Sequence, residues 1–128
     1  MPSSSPALCI LVVDDNAAIR QALAQFLRLL GYPTREAATF KEAVAMLPEA
    51  DAVVTDGMFP SDAGGPEGPF GLTLAEQAQA LGLPVVLVSG DTALVDQARQ
   101  AGHAAHAKPS RFADLLQALQ VCASLERP

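Results

Sequence analysis

The stretch ILVVDD, residues 10–15, sets four apolar side chains in front of two adjacent aspartates. A continuously apolar run of this length is typical of a strand that is covered on both faces of a sheet. Two carboxylates side by side at the end of that strand repel each other, so a positive group has to offset them. The stretch therefore predicts a buried parallel strand whose carboxyl end carries two carboxylates and a positive group that offsets them.

Similar short runs recur along the chain and alternate with stretches of helical period, which is the pattern of repeated βα units. The predicted strands are Leu8–Val13, Thr34–Ala37, Ala52–Thr55, Val85–Val88 and Ala104–Ala107. The predicted helices are one that follows Asn16 and carries Ile19 to Leu30, then Phe40–Leu47, Leu72–Leu81, Ala93–Ala101 and Phe112–Leu125. The fold class is accordingly α/β, a (βα)₅ doubly wound sheet of five parallel strands.

The length allows one sizeable core, because 50% of the 128 residues are hydrophobic and a second domain has little room. We expect a single domain over residues 1–128 with its core in residues 8–119. One segment does not fit the alternation of short strands and helices. Residues 59–71, FPSDAGGPEGPFG, form a predicted loop that is rich in glycine and proline and too polar for the core.

Charge and composition exclude several classes of protein. A net charge of −6 argues against direct nucleic-acid binding, which needs clustered lysine and arginine. The first residues carry no basic region, and Asp14 breaks the apolar run, so we expect neither a signal peptide nor a membrane span. Cys9 and Cys122 lack metal-ligand spacing and are predicted to be reduced, buried thiols. These features together predict a cytoplasmic protein.

Five polar residues follow the predicted strands at the edge where all parallel strands end, which is where open α/β sheets bind ligands. Asp14 and Asp15 follow the first strand, Asp56 the third, Ser89 the fourth and Lys108 the fifth. An all-oxygen pocket with several carboxylates suits Mg²⁺. A carboxylate beside Mg²⁺ can attack a phosphoryl group, and Asp56 is the central candidate. Lys108 and Ser89 can bind phosphoryl oxygens.

The segments VVDD, VVTDGMFP, LVSG and AKP, in this order and spacing, resemble the receiver domain of response regulators over residues 8–119. The resemblance implies a flavodoxin-like, CheY-like fold and a phosphoacceptor signalling domain of a two-component or phosphorelay system. Such a domain is not an enzyme beyond assisting its own phosphorylation and dephosphorylation. The implied partners are a sensor histidine kinase or a histidine phosphotransfer protein, and a downstream protein target.

The resemblance also assigns roles to single residues. It makes Asp56 the phosphoacceptor and Asp14 and Asp15 the acidic pair, with Asp15 directly on the metal. Met58 supplies a backbone carbonyl, so that the implied metal set is Asp14, Asp15, Asp56 and Met58. Ser89 and Lys108 become the phosphoryl-binding and signalling residues, and the Lys108–Pro109 peptide resembles one that is cis in the family.

Three departures from the family pattern bear on function. Receivers usually carry an aromatic residue three positions before the lysine, where this chain has Ala105, and His106 is the alternative occupant of that space. The loop from Ser61 to Phe70 exceeds the short family turn, and its glycines allow movement over Asp56. Gly57 is small where bulkier residues are common, which predicts looser access to the nucleophile.

Alternative interpretations of these residues remain. Asp15 or Asn16 can simply cap a helix, and Ser89 can belong to an ordinary turn. A receiver-like binding module that is never phosphorylated would fit the missing aromatic. An aspartate-nucleophile phosphatase of the haloacid-dehalogenase type needs Asp-x-Asp after the first strand, where this chain has Asp14, Asp15 and Asn16. A flavodoxin-like electron carrier needs a phosphate loop that the chain lacks after its first strand.

Overall fold

The computed structural model describes residues 8–126, with side chains described for residues 8–122. The strands are β1 (Ile10–Val13), β2 (Thr34–Ala37), β3 (Ala52–Asp56), β4 (Phe59–Pro60), β5 (Glu67–Gly68), β6 (Val85–Ser89) and β7 (Ala104–Ala107). The helices are α1 (Ala17–Leu29), α2 (Phe40–Met46), α3 (Phe70–Ala80), α4 (Thr92–Gln100) and α5 (Phe112–Glu126), with a 3₁₀ turn at Leu47–Glu49.

Five strands form one parallel sheet in the order β2-β1-β3-β6-β7, which confirms the predicted doubly wound α/β class. The first strand begins at Ile10 rather than Leu8, and two strands run one residue further than predicted. These extra residues are Asp56 at the end of β3 and Ser89 at the end of β6. Because β1, β3 and β6 are neighbours, their carboxyl ends lie side by side.

The sheet is covered on both faces, as the continuously apolar strands predict. Alternate residues of β1 point to opposite layers, with Leu11 and Val13 facing α2 and α3. Ile10 and Val12 face α1 and α5 and pack with Leu27 and other apolar side chains. The two layers fix the rotation of each strand, so the residue after each strand has a defined position at the sheet edge.

Helix α1 begins with a cap that uses neither aspartate. The Asn16 side chain accepts a hydrogen bond from the Ile19 amide at 3.1 Å, which satisfies a free N–H of the first turn. Of the two capping residues considered from the sequence, Asn16 is therefore the one used. Capping does not account for the carboxylate of Asp15.

The glycine- and proline-rich segment after β3 is not wholly a polar loop, which corrects the prediction. Phe59 has no exposed surface and belongs to the core layer beneath α2 and α3. β4 and β5 pair as a short antiparallel hairpin within this segment. Helix α3 starts at Phe70, two residues before the predicted start, and the Phe70 ring contacts Phe40 with centroids 5.5 Å apart. The glycine and proline content of the segment predicts a loop, and it gives no sign that Phe59 and Phe70 pack in the interior.

Two further expectations concern the remainder of the chain. Cys9 and Cys122 are half-buried rather than buried, so the expectation of two buried thiols is wrong in degree. Among residues 8–126, no helix combines the length and the apolar character needed to cross a bilayer. The predicted domain bounds include residues 1–7 and 127–128, which lie outside the described residues.

Candidate functional site

Three carboxylates converge at the carboxyl ends of β1 and β3. Asp14 and Asp15 come directly after β1, and Asp56 is the last residue of the adjacent β3. One oxygen from each of the three carboxylates can be chosen so that all lie within 4.8 Å of one another. Asp14 is buried, whereas Asp15 and Asp56 are half-buried. The neighbouring strands therefore hold these charges together although they repel.

Lys108 supplies the positive charge at this edge. It follows β7, and its backbone N–H donates to the Ser89 carbonyl at 2.9 Å. Its Nζ lies 3.3 Å from Asp56 Oδ1 and 3.5 Å from Asp14 Oδ2. The Lys108–Pro109 peptide is cis, as the family resemblance implies. One ammonium group thus bridges two of the three aspartates.

The site shifts the pKa values of its central pair. Burial, and then repulsion from Asp14, raise the pKa of Asp56 from 3.8 to about 6, while Lys108 and the Gly57 N–H act in the opposite direction. Burial by itself would lower the pKa of Lys108, but the nearby Asp56 and Asp14 carboxylates outweigh it and raise that pKa above its usual value. The lysine therefore stays charged, while the negative charge of Asp56 is only partly offset.

The donor set fits a hard divalent cation. Three carboxylates and one ammonium leave an excess of negative charge, and carboxylate oxygens are the ligands that Mg²⁺ prefers. A polar pocket of about 520 Å³ adjoins the cluster, and its lining includes Met58 and Ser89. The structure thus brings all six predicted site residues to one crevice: Asp14, Asp15, Asp56, Met58, Ser89 and Lys108.

Ser89 has a structural partner as well as a place in the site. Its side chain is buried, and its Oγ accepts a hydrogen bond from the Asp91 amide at 3.0 Å. Asp91 in turn caps α4 through the amides of Ala93 and Leu94. This turn uses a lone pair of the Ser89 hydroxyl and leaves its proton able to donate. The turn interpretation and the functional one are therefore compatible.

Gly57 does not open the site, contrary to the expectation from its size. A Cβ at this position would lie 2.6 Å from Leu94 Cδ2 and 2.8 Å from Ser89 Oγ. Both distances are shorter than real Cβ contacts, so the space a side chain would need is already filled. Gly57 is small because α4 and β6 pack against it.

The position of the missing aromatic residue is filled by small apolar packing. Ala105 is buried and packs with Leu87, Val95 and Ala98 between β6, β7 and α4. His106, the alternative occupant, is half-buried and pairs in register with Val88. Neither residue brings a large ring to the place where the family has one.

Sequence reasoning missed one acidic residue of this region. Glu67, in β5 of the loop hairpin, lines the same pocket as the aspartates. A hydrogen bond with the Asp15 carboxyl group, together with the charge of Asp15, raises the pKa of Glu67. The spacing of residues along the chain does not predict this position of Glu67. It depends on a hairpin within residues 59–71, a segment whose composition predicts a loop.

Comparison with known families identifies the pattern. The model of the family described as "Response regulator receiver domain" matches residues 10–120. No curated protein matches the chain. Many solved structures do, and all of those described below are receiver or response regulator proteins.

Three of these structures illustrate the match. A CheY-like receiver domain protein from Methanospirillum hungatei JF-1 is 27% identical, with a TM-score of 0.75 and coverage of 94% of this chain and 96% of that one. A receiver protein from Sinorhizobium medicae WSM419 is 25% identical, with a TM-score of 0.78 and coverage of 97% and 100%. A response regulator from Burkholderia pseudomallei, described with a phosphorylated aspartic acid, a calcium ion and citrate, is 26% identical, with a TM-score of 0.71 and coverage of 94% and 75%.

Proposed function

Since this chain belongs to the response regulator receiver family, we propose that it is a phosphoacceptor receiver domain that takes a phosphoryl group on to Asp56. The donor is a phosphohistidine on a sensor histidine kinase or a histidine phosphotransfer protein. The observation that carries the proposal is the convergence of the Asp14, Asp15 and Asp56 oxygens within 4.8 Å, with Lys108 in contact with Asp56.

The transfer step follows from the contacts of Asp56. Its Oδ1 accepts a hydrogen bond from the Gly57 N–H at 2.8 Å and lies 3.3 Å from Lys108 Nζ. Its Oδ2 therefore has the more available lone pair for attack on phosphorus. A bond forms between that oxygen and phosphorus while the P–N bond to the donor imidazole breaks, and the imidazole nitrogen keeps the electron pair. The result is an aspartyl phosphate.

Charge on the transferred phosphoryl oxygens has to be neutralised at this crevice. Lys108 offers an ammonium group and Ser89 a hydroxyl proton, and both residues border the pocket beside Asp56. A bound Mg²⁺, held by Asp14, Asp15, Asp56 and the Met58 carbonyl, would supply further positive charge to these oxygens. The Burkholderia protein is described with a phosphorylated aspartic acid and a calcium ion. By analogy, it supports the phosphorylation of Asp56 and the binding of a divalent cation.

The output of such a domain is a change in protein contacts rather than turnover of a substrate. We propose that phosphorylation biases a two-state equilibrium through the contacts of Ser89 and Lys108. A downstream protein then reads the surface near α4 and α5, and no nucleic acid or membrane takes part directly. A cytoplasmic location accords with such partners.

The decisive experiment measures phosphorylation by intact mass. The chain is incubated with acetyl phosphate and Mg²⁺, alongside Asp56→Asn and Asp51→Asn. Asp51 is exposed and lies at the start of the β3 segment, away from the acidic cluster, so its substitution is the matched control. We expect one hydroxylamine-labile phosphoryl adduct on the native chain and on Asp51→Asn, and none on Asp56→Asn.

The other outcomes separate the alternatives. The absence of an adduct on the native chain, from acetyl phosphate and from a phosphorylated histidine donor alike, would favour a binding module that is never phosphorylated. Ala105, which stands where the family has its aromatic residue, is the observation that favours this second function. Steady hydrolysis of a phosphoester without a lasting adduct would favour the aspartate-nucleophile phosphatase.

A further inference from the structure

The inserted segment between β3 and α3 brings an additional carboxylate to the edge of the proposed cation site. Antiparallel pairing sets Glu67 opposite Pro60 in the hairpin of β4 and β5. The Glu67 side chain is exposed, and it lines the same pocket as Asp14, Asp15 and Asp56. The Asp15 carboxyl group raises the pKa of Glu67, and both side chains line this pocket. Glu67 therefore borders the cluster on the side of Asp15.

The inner end of this hairpin is anchored in the core. Phe59, in β4, has no exposed surface and packs beneath α2 and α3. Phe70, just after the hairpin, contacts the Phe40 ring, and its own ring lies against the backbone at Gly68. Burial of these rings favours one position of the hairpin over many. The placement of Glu67 thus follows from fixed packing.

The outer end of the loop is tied to α2. Lys41 Nζ lies 2.8 Å from Asp62 Oδ1, and the Lys41 amide donates to the Ser61 carbonyl at 3.1 Å. Asp62 is thus an acidic residue of the same loop whose carboxylate pairs with a lysine. Glu67 has no such partner: among residues 8–122, no lysine or arginine forms an ion pair with it.

Charge balance then decides what Glu67 is suited to bind. The carboxylates of Asp15 and Glu67 line the same pocket and repel each other, so a positive group beside them would be stabilising. Lys108 is engaged with Asp14 and Asp56 instead. A hydrated divalent cation meets the need, because Mg²⁺ keeps several of its water molecules and a carboxylate at the rim can accept their hydrogen bonds.

Building on the function proposed above, we propose that Glu67 is an outer carboxylate of the divalent-cation site, and that it couples cation binding to the position of the β4–β5 hairpin. The cation would hold the hairpin in the position that this packing favours. The loop then contributes to the metal affinity of the site.

Calorimetric titration with Mg²⁺ and with Mn²⁺ tests this proposal on the full chain. Glu67→Gln removes the charge and keeps the shape, and we expect it to weaken both affinities by about tenfold, the lower end of the range for residues outside the ligand set. Asp62→Asn removes the same charge from the same loop, where screening and its partner Lys41 limit the effect to about twofold. Equal affinities for Glu67→Gln and the native chain would overturn the proposal.

A second measurement separates a specific contact from a general loss of negative charge. Hydrogen exchange of the amides in residues 61–68 is followed with and without saturating Mg²⁺. We expect the cation to slow exchange in the native chain and in Asp62→Asn, and to have little effect in Glu67→Gln. Equal slowing in all three proteins would show that the hairpin does not respond through Glu67, and would overturn the coupling.

The proposed function and this inference fail in different ways. If the native chain binds no divalent cation and forms no adduct on Asp56, both are wrong. If the native chain binds Mg²⁺ and is phosphorylated while Glu67→Gln matches it in affinity and exchange, only the role of Glu67 is wrong. Thermal unfolding in a chelator checks that each variant is folded.

Discussion

The carboxyl ends of β3 and β7 lie at the same edge of the sheet but are built differently. At the end of β3, backbone packs on backbone: a Cβ on Gly71 would lie 2.0 Å from the Asp56 carbonyl oxygen. At the end of β7, Ala105 packs among the aliphatic side chains of Leu87, Val95 and Ala98, and Ala107 is exposed. The β3 end has no space to adjust, whereas residue 105 in β7 has no large side chain that could move.

This difference means that the residues that hold the acidic cluster in place are distinct from those that could transmit a conformational change. Holding like charges together requires a rigid frame, and the contacts around Asp56 provide one. A response through a moving ring at residue 105 is unavailable to an alanine. A more direct route leads from β3 to α4, because Gly57 is in tight contact with Ser89 and Leu94. A shift at Asp56 would therefore reach α4 through packing at its first turn.

Gly71→Ala should disrupt the close packing at the end of β3 and have the largest effect on stability. The Gly71 amide donates to the Gly57 carbonyl at 3.1 Å, so α3 cannot retreat without losing that bond. Because the clash is with backbone, we expect a loss of about 3 kcal/mol or more in the free energy of unfolding. Urea denaturation measures it, and the proposed phosphorylation of Asp56 should fall as well.

Gly90→Ala is the matched control for this substitution. Gly90 follows Ser89 at the same sheet edge, but a Cβ there would have no atom within 4 Å. We expect its free energy of unfolding to stay within about 1 kcal/mol of the native value. If both variants were equally stable, the frame around Asp56 would not be rigid, and the contrast with β7 would fail.

The apolar strands made the frame predictable from the sequence. Continuous burial marks β1, β3 and β6, and parallel topology then brings the residues at their carboxyl ends to one edge, which is why the sequence allows Asp14, Asp56 and Ser89 to be grouped. The close approach of Gly71 to Asp56 could not be foreseen. It depends on where α3 begins, and Phe70 starts that helix inside a segment whose composition suggests a loop.

Side chains that arrive from outside the regular pattern were equally hidden. Glu67 reaches the site because Phe59 is buried and fixes β4, with which the strand that carries Glu67 pairs. Each of these two strands has only two residues. The role of Asn16 as a cap could be stated only as one of two choices, since Asp15 is as good a capping residue. Such details depend on packing between distant segments, which a single sequence does not reveal.

Charge at the end of β3 should make the stability of the chain depend on pH. Burial and repulsion from Asp14 raise the pKa of Asp56 to about 6 in the folded chain, above its unfolded value near 3.8. A raised pKa means that protonated Asp56 contributes stability that is fully present below about pH 4 and is lost as pH rises through 6. In a chelator, we expect this to remove about 1 to 2 kcal/mol from the free energy of unfolding, after allowance for partial exposure.

Asp56→Asn isolates that contribution, because asparagine does not titrate. The free energy of unfolding of the native chain minus that of Asp56→Asn should decrease between pH 4 and pH 7. Addition of Mg²⁺ at pH 7 should then restore stability to the native chain more than to the variant. If the free energies of unfolding of the two proteins changed in parallel between pH 4 and pH 7, ionisation of Asp56 would not destabilise the fold.

The smallest effect on stability is expected at β7, where one side chain of α4 donates a hydrogen bond to the backbone of this edge strand. Arg99 Nε donates to the Ala105 carbonyl at 3.0 Å. Because Arg99 is exposed, Arg99→Gln should cost about 1 kcal/mol or less in the free energy of unfolding. Arg111→Gln removes the same charge from an exposed position after β7 and is the control.

Amide exchange is the sharper measurement for this pair of variants. In Arg99→Gln, the amides of β7 should exchange faster while those of β3 follow only the global change in stability, because β7 pairs with β6 alone and its other edge depends on the Arg99 contact. Equal exchange at β7 in Arg99→Gln and Arg111→Gln would show that the bond adds nothing. The β7 end would then be held by its small apolar packing, with Ala105 at the centre.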